Sequence, residues 1–166
     1  MSTTHTVIGS PLGDLTLVAT DGSLTGLYFR HHWYRPDPAS FGTRDDTGFG
    51  DVTEQLGEYF AGQREDFDLP IDPQGDEFQH RVWTLISRIP YGQTTTYGEL
   101  ARGIGGGVLA KDVGQAVGRN PLSVIVPCHR VVGKDGRLTG YAGGLGRKRF
   151  LLELEQQTAR TAAVLF

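Results

Sequence analysis

The run Ile125-Val126-Pro127-Cys128-His129-Arg130-Val131-Val132-Gly133 decides how this chain is read. It holds the only cysteine of the 166 residues, set after a proline and directly before a histidine and an arginine. Sulfur attacks as thiolate, and an adjacent base or cation lowers the thiol pKa. A Cys128-His129 pair beside Arg130 therefore reads as an activated nucleophile. The competing reading is a small buried hydrophobe with an inert thiol. Val124-Ile125-Val126 reads as a short buried segment leading straight into Pro127 and Cys128.

Upstream of that run, Asn120-Pro121 closes a helix predicted over 109–118, with Leu109, Val113, Ala116 and Val117 on one face. Before it, Thr95 or Thr96 can cap a helix from Tyr97 to about Arg102, with Glu99 in its first turn. The glycines at 103 and 105–107 end that helix. Two short helices across a glycine-rich turn suggest a helix-turn-helix, although helix pairs are also common packing units. Phe78, Val82, Leu85, Ile86 and Ile89 predict a stronger helix ahead of the pair, with Trp83 packing beside them and Pro90 as the stop. Downstream, Gly133 to Gly140 reads as a tight hairpin and Tyr141-Ala142-Gly143-Gly144 as a flexible or closely approached loop. Arg147 to about Gln156 is predicted as the last helix, with Phe150, Leu151 and Leu154 inward.

Leu69-Pro70-Ile71-Asp72-Pro73-Gln74-Gly75 interrupts all periodicity and divides the chain into domains at 1–75 and 76–166. In the first part, Thr6-Val7-Ile8, Leu15 to Val18 and Leu24 to Phe29 read as strands. Ser10-Pro11-Leu12-Gly13 reads as a turn, and Asp21-Gly22 is a hairpin signal. Residues 31–50 are polar and rich in Pro, Gly and Asp, so they read as a loop. Val52, Leu56, Tyr59 and Phe60 predict a helix over 50–61, and Phe67 to Ile71 one more strand. The fold class is α/β: a small sheet with a helix on it, then a mostly helical part.

One cysteine excludes an intramolecular disulfide and suits a reducing compartment. No apolar run is long enough to span a membrane, and the first residues lack the basic-then-apolar pattern of a signal peptide. A cytoplasmic location is expected. The net charge of −3 hides an asymmetry. Residues 1–75 carry 4 Lys/Arg against 12 Asp/Glu, a net of −8, whereas residues 76–166 carry 12 against 7, a net of +5. The second half is the one suited to face a polyanion.

These residues carry a family resemblance. Pro127-Cys128-His129-Arg130-Val131 resembles the active-site motif of the O6-alkylguanine-DNA alkyltransferases, the methylated-DNA–protein-cysteine methyltransferases. Asn120-Pro121, Tyr141-Ala142-Gly143-Gly144, Pro90-Tyr91-Gly92 with Thr96-Tyr97, the closing helix through Glu155, and Ser10-Pro11-Leu12-Gly13 are similar to the family's pattern as well. The resemblance implies a ribonuclease-H-like α/β domain followed by a mostly helical domain with a helix-turn-helix. It implies binding to duplex DNA from the minor groove and flipping of an O6-alkylguanine into a pocket. Cys128 then takes the alkyl group irreversibly, once per molecule and without a cofactor. Association with the nucleoid, a monomeric state and cooperative assembly on DNA go with it, and O4-alkylthymine is a second candidate substrate.

The resemblance also assigns roles. His129 takes the Cys128 proton through a water, and Glu155 holds and charges His129 as the third member of a triad. The alternative for Glu155 is a solvated helix carboxylate. Tyr97 gives a hydrogen bond to the leaving purine, or is simply a half-buried aromatic. Asn120 ties the recognition helix to the active-site segment, or is a plain helix cap. The backbone amide of Ala142 faces the guanine O6, where many family members have serine. Carbonyls of Cys128 and Val131 read the exocyclic amine, Tyr141 walls the pocket, and Lys148 joins the substrate-binding set. Thr96, Arg102, Lys111, Gln115, Arg119 and Arg130 are assigned to DNA. Lys111 stands where the family usually has an arginine finger, and Asp112 replaces a small residue after it.

The scattered His5, His31, His32 and His80 offer no zinc spacing with a single Cys, so no metal is expected. Two other functions compete. A non-catalytic sensor of alkylated DNA would lack the cysteine that Cys128 supplies. A Cys-His hydrolase would not place its partners side by side in sequence.

Overall fold

The computed structural model describes residues 2–165. Three antiparallel strands open the chain: β1 (Thr3–Ile8), β2 (Leu15–Thr20) and β3 (Ser23–Phe29). Asp21 and Gly22, at φ 51° and 87°, make the tight turn that their sequence signals. Leu15 and Leu17 of β2 and Leu27 and Phe29 of β3 are fully buried on one sheet face. They meet α1 (Gly50–Phe60), whose Val52, Leu56 and Tyr59 point inward.

The predicted loop over 31–50 holds more structure than its composition shows. A 3-10 turn at Pro38–Phe41 lays Phe41 against Tyr28 on the opposite sheet face, with ring centroids 5.7 Å apart. It leads into β4 (Thr43–Arg44), which pairs in parallel with β1 and completes the order β3-β2-β1-β4. Burying Phe41 and Phe49 is what orders this polar stretch, and two apolar residues eight apart give no periodic signal. Phe67 to Ile71, by contrast, forms no strand. Only an isolated bridge joins Ile71 to Leu24, because Pro70 has no N–H to extend a ladder.

The second half is built on α2 (Glu77–Ser87), α3 (Tyr97–Ile104), α4 (Ala110–Gly118) and α5 (Leu145–Leu165). Asp76 caps α2, accepting from the Gln79 amide at 2.8 Å. Trp83 of α2 donates through its indole N–H to the Ala116 carbonyl at 2.8 Å, which fixes α4 against α2. Thr96 caps α3 by accepting from the Glu99 amide at 3.0 Å. Gly103 lies inside α3, and Gly105, at φ 76°, is what ends it. In place of a hairpin, residues 134–136 form a 3-10 turn, and the last helix begins at Leu145 rather than Arg147. A parallel pair, β5 (Thr95–Thr96) with β6 (Val131–Val132), joins the start of α3 to the cysteine segment.

One buried core runs through both halves, from Leu15 and Leu27 to Val82, Val117 and Leu151. Backbone bonds reinforce it: the Leu27 amide donates to the Pro121 carbonyl at 2.8 Å, so Leu122 continues the edge of the first sheet. Among the described residues, no helix is long and apolar enough to cross a membrane.

Candidate active site and nucleic-acid interface

Cys128 begins a single 3-10 turn, Cys128–Arg130, between the buried Val126 and β6. The thiol is almost fully buried, and burial pushes its pKa up. The side chains of Asn120 and Tyr141 and the charge of Lys148 oppose that rise without cancelling it. The cation-lowered thiol expected from Arg130 is thus corrected: Arg130 faces away from the sulfur.

Arg130 turns instead onto Glu155 of α5. Its Nε and Nη2 donate to the two carboxylate oxygens at 2.8 and 3.0 Å, and Nη1 donates to the Ile89 carbonyl at 2.7 Å. All of these contacts are buried, so Arg130 is not on a DNA-facing surface as its assignment required. Glu155 is itself 1% exposed, which excludes the solvated-carboxylate alternative. Burial raises its pKa, yet His129 and Arg130 outweigh that and hold it at about 2. The carboxylate is therefore ionised and can only accept. His129 Nε2, 2.7 Å away, must carry the proton, which leaves Nδ1 as the basic nitrogen. Nδ1 is buried and finds no hydrogen-bond partner among the described residues. Burial also holds the imidazole pKa below its ordinary value, so His129 is neutral near pH 7.

Asn120 couples α4 to the cysteine segment. Its amide donates to the Val126 carbonyl at 2.9 Å, and its side-chain oxygen accepts from the Leu122 amide at 2.9 Å. The helix cap proper is Arg119, one residue earlier. Lys148 is buried, donating to the carbonyls of Val131 at 2.6 Å and Gly140 at 2.8 Å, with a long contact of 3.5 Å to the Tyr97 hydroxyl. Burial lowers its pKa to about 8. The Val131 carbonyl is thus already engaged by Lys148, with one lone pair left over. Burial raises the Tyr97 pKa, so its phenol stays protonated as a donor.

Beside the thiol opens an apolar cleft of about 370 Å³, lined by Tyr97, Lys111, Thr139, Tyr141 and Ala142 among others. Cys128 and Val131 do not line it; the sulfur meets it through Tyr141, which touches both. Ala142 and Gly143 belong to a loop that is closely approached rather than loose. A Cβ on Gly143 would fall 2.4 Å from the Phe29 ring. The exposed face of the helix pair carries Arg102, Lys111, Gln115 and Arg119, while Thr96 is half-buried at the cap. Lys111 borders the cleft. Asp112 is taken up by its own helix, accepting from the Leu109 amide at 2.9 Å.

Sequence reasoning missed two residues at this site. Tyr59 reads as one member of a helical stripe, but its hydroxyl reaches Glu155 at 2.6 Å. Trp33 reads as loop, but it lines the cleft. A large aromatic in an otherwise polar loop was the available signal.

Two family models cover the chain. The 6-O-methylguanine DNA methyltransferase ribonuclease-like domain matches residues 4–73, and the DNA binding domain of the same family matches residues 77–157. The chain belongs to the 6-O-methylguanine DNA methyltransferase family. It is 45% identical to a methylated-DNA–protein-cysteine methyltransferase of Mycolicibacterium paratuberculosis over 98% of both chains. A Methanosarcina acetivorans protein of the same name is 41% identical over 91% of this chain and 97% of its own. The structure of Mycobacterium tuberculosis OGT in complex with DNA superposes with a TM-score of 0.89 at 46% identity, covering 93% of this chain and 94% of that one. The sheet-then-helices order of this methyltransferase-family chain is that of its relatives, and its helix pair lies within the matched DNA-binding model.

Proposed function

We propose that the chain repairs DNA by moving the alkyl group of O6-alkylguanine directly onto Cys128. The observation that carries this is one buried thiol followed directly by His129, which is paired with Glu155, in a site whose Tyr141 also lines a base-sized apolar cleft bordered by a helix pair that exposes Arg102, Lys111 and Gln115. The reaction forms a bond between the Cys128 sulfur and the alkyl carbon and breaks the bond from that carbon to O6. The thiol proton passes to His129 Nδ1, and the departing guanine takes up a proton in turn. Glu155 stabilises the imidazolium that forms, and the Tyr97 hydroxyl supplies a hydrogen bond to the purine.

A base stacked in a duplex cannot reach a buried sulfur, so the lesion must leave the stack. Arg102, Lys111, Gln115 and Arg119 are the side chains placed to hold the backbone, with Thr96 at the helix cap. Tyr141 and Ala142 wall the pocket, Lys148 fixes the Val131 and Gly140 carbonyls for the guanine, and Asn120 keeps α4 in step with the cysteine segment. In this reading residues 1–75 are a supporting domain and residues 76–166 bind DNA and take the alkyl group. The protein works as a monomer on chromosomal DNA in the cytoplasm, and cooperative assembly along DNA and O4-alkylthymine repair are extensions of the same chemistry. The thioether offers no route back to the thiol, so each molecule acts once.

The test is the mass of the protein after incubation with alkylated duplex DNA. Transfer adds one alkyl group, on Cys128, and stops at one equivalent. A damage sensor would gain no mass, and a hydrolase would gain none while consuming substrate. Cys128→Ser should keep DNA binding and lose transfer, because its hydroxyl is not ionised at neutral pH.

A further inference from the structure

The strongest unassigned feature is Trp33, which comes from the first half of the chain. It is 53% exposed, an unusual position for the largest apolar side chain. Its place is nevertheless defined. The Trp33 amide donates to the Ala142 carbonyl at 2.9 Å, which pins the loop to the segment that walls the cleft. A Cβ on Gly140 would meet Trp33 Cη2 at 3.4 Å, and one on Gly118 would meet Cε3 at 3.9 Å. The indole thus spans from the end of α4 to the 139–142 segment and lines the cleft together with Tyr97 and Tyr141.

The next residue holds the loop a second time. Tyr34 adopts φ 56°, rare for a non-glycine residue. Its ring lies under the Arg119 guanidinium, 3.6 Å from the centroid. Backbone strain of this kind persists where surrounding contacts over-determine it. Here the contacts of Trp33 and Tyr34 named above come from the second half of the chain, while the flanking His32 and Arg35 are held by Phe29 and Thr16 of the first sheet.

We infer that Trp33 is a specificity-determining wall of the alkylguanine pocket. Its indole packs on the alkyl substituent of the flipped base and favours aromatic over methyl substituents. The inference rests on the alkyl-transfer reading above. A methyl group is too small to cover an indole face, whereas a benzyl ring can stack on it.

The experiment measures single-turnover transfer in wild type, Trp33→Ala and Trp33→Phe. The substrates are duplex DNA carrying O6-methylguanine, duplex DNA carrying O6-benzylguanine, and free O6-benzylguanine. Stacking on an aromatic side chain is worth about tenfold. Trp33→Ala should therefore slow benzyl transfer about tenfold on both benzyl substrates, change methyl transfer less than about threefold, and leave the melting temperature unchanged. Trp33→Phe should restore most of the benzyl rate. In a Cys128→Ser background, free O6-benzylguanine should alter tryptophan emission, and Trp33→Phe should abolish that change, since Trp83 is buried away from the cleft. Equal losses on methyl and benzyl, or a loss confined to duplex DNA, would overturn the inference and leave the transfer reading intact. An unchanged or faster benzyl rate in Trp33→Ala would do the same. Absence of transfer in wild type would overturn both.

Discussion

The Tyr59 hydroxyl donates to Glu155 Oε2 at 2.6 Å, the same oxygen that accepts from His129 Nε2 at 2.7 Å. A helix of the first half therefore reaches into the candidate catalytic triad. Glu155 carries a second layer of support in Arg130, and the Gly92 amide lies 3.4 Å from Oε1. Tyr59 touches neither the thiol nor the cleft, so it acts by positioning Glu155.

Tyr59→Phe keeps the buried ring and removes one donor from an ionised carboxylate. A hydrogen bond to a charged group contributes about 1.5–3 kcal/mol, and the variant should lose stability in that range. The transfer rate should fall while DNA affinity holds. Denaturant unfolding, single-turnover rate and DNA titration together check this. An unchanged rate would show that the triad does not depend on the first half.

Arg130 separates the two assignments that its sequence position allows. Replacing it with Met leaves Glu155 buried without its main counter-ion, and breaking such a pair costs about 3–5 kcal/mol. Its removal should not alter the salt dependence of DNA binding, because Arg130 releases no counterions. Arg102→Ala or Arg119→Ala should instead reduce the slope of log K against log salt by about 1 each, with little effect on folding. A shallower slope for Arg130→Met would return this residue to the DNA surface.

Acid should destabilise the protein in two stages. His129 has a folded pKa below its ordinary 6.5, so the unfolded chain binds the proton more readily, and stability falls as pH drops below that value. Glu155 has a folded pKa of about 2 against an ordinary 4.5. Its contribution, about 3 kcal/mol, is complete above 4.5 and is lost as pH falls towards 2. Unfolding free energy measured across this range checks both stages, and Glu155→Gln should remove the lower one. The transfer rate should likewise stay level to below pH 6.5, because the proposed proton acceptor is neutral His129.

Lys111 lies in the first turn of α4 at the rim of the cleft. Its ammonium is a compact charge on a flexible stem, whereas a guanidinium is planar and can stack in the gap left by a flipped base. Lys111→Arg should therefore speed repair in duplex DNA, with a smaller gain on free alkylguanine, where nothing is flipped. Single-turnover rates on both substrates measure the difference, with Lys111→Ala as the slow reference. Asp112 does not counter this gain, since its carboxylate is held by the Leu109 amide.

Local signals were enough for much of the fold. Asp21-Gly22 makes its turn because both residues tolerate positive φ, and the helices follow apolar spacing that needs no distant partner. The motif around Cys128 likewise points to the proposed chemistry, since a lone cysteine beside a histidine is a local fact. Only the tertiary structure could decide which way each group faces. Glu155 meets Tyr59 across 96 residues, and nothing in the periodicity of either helix pairs those positions. Arg130 follows His129 directly, yet it turns inward because a buried carboxylate offers it two acceptors. Trp33 and Phe41 order a stretch whose composition reads as loop, because a single aromatic finds its partner through space rather than along the chain.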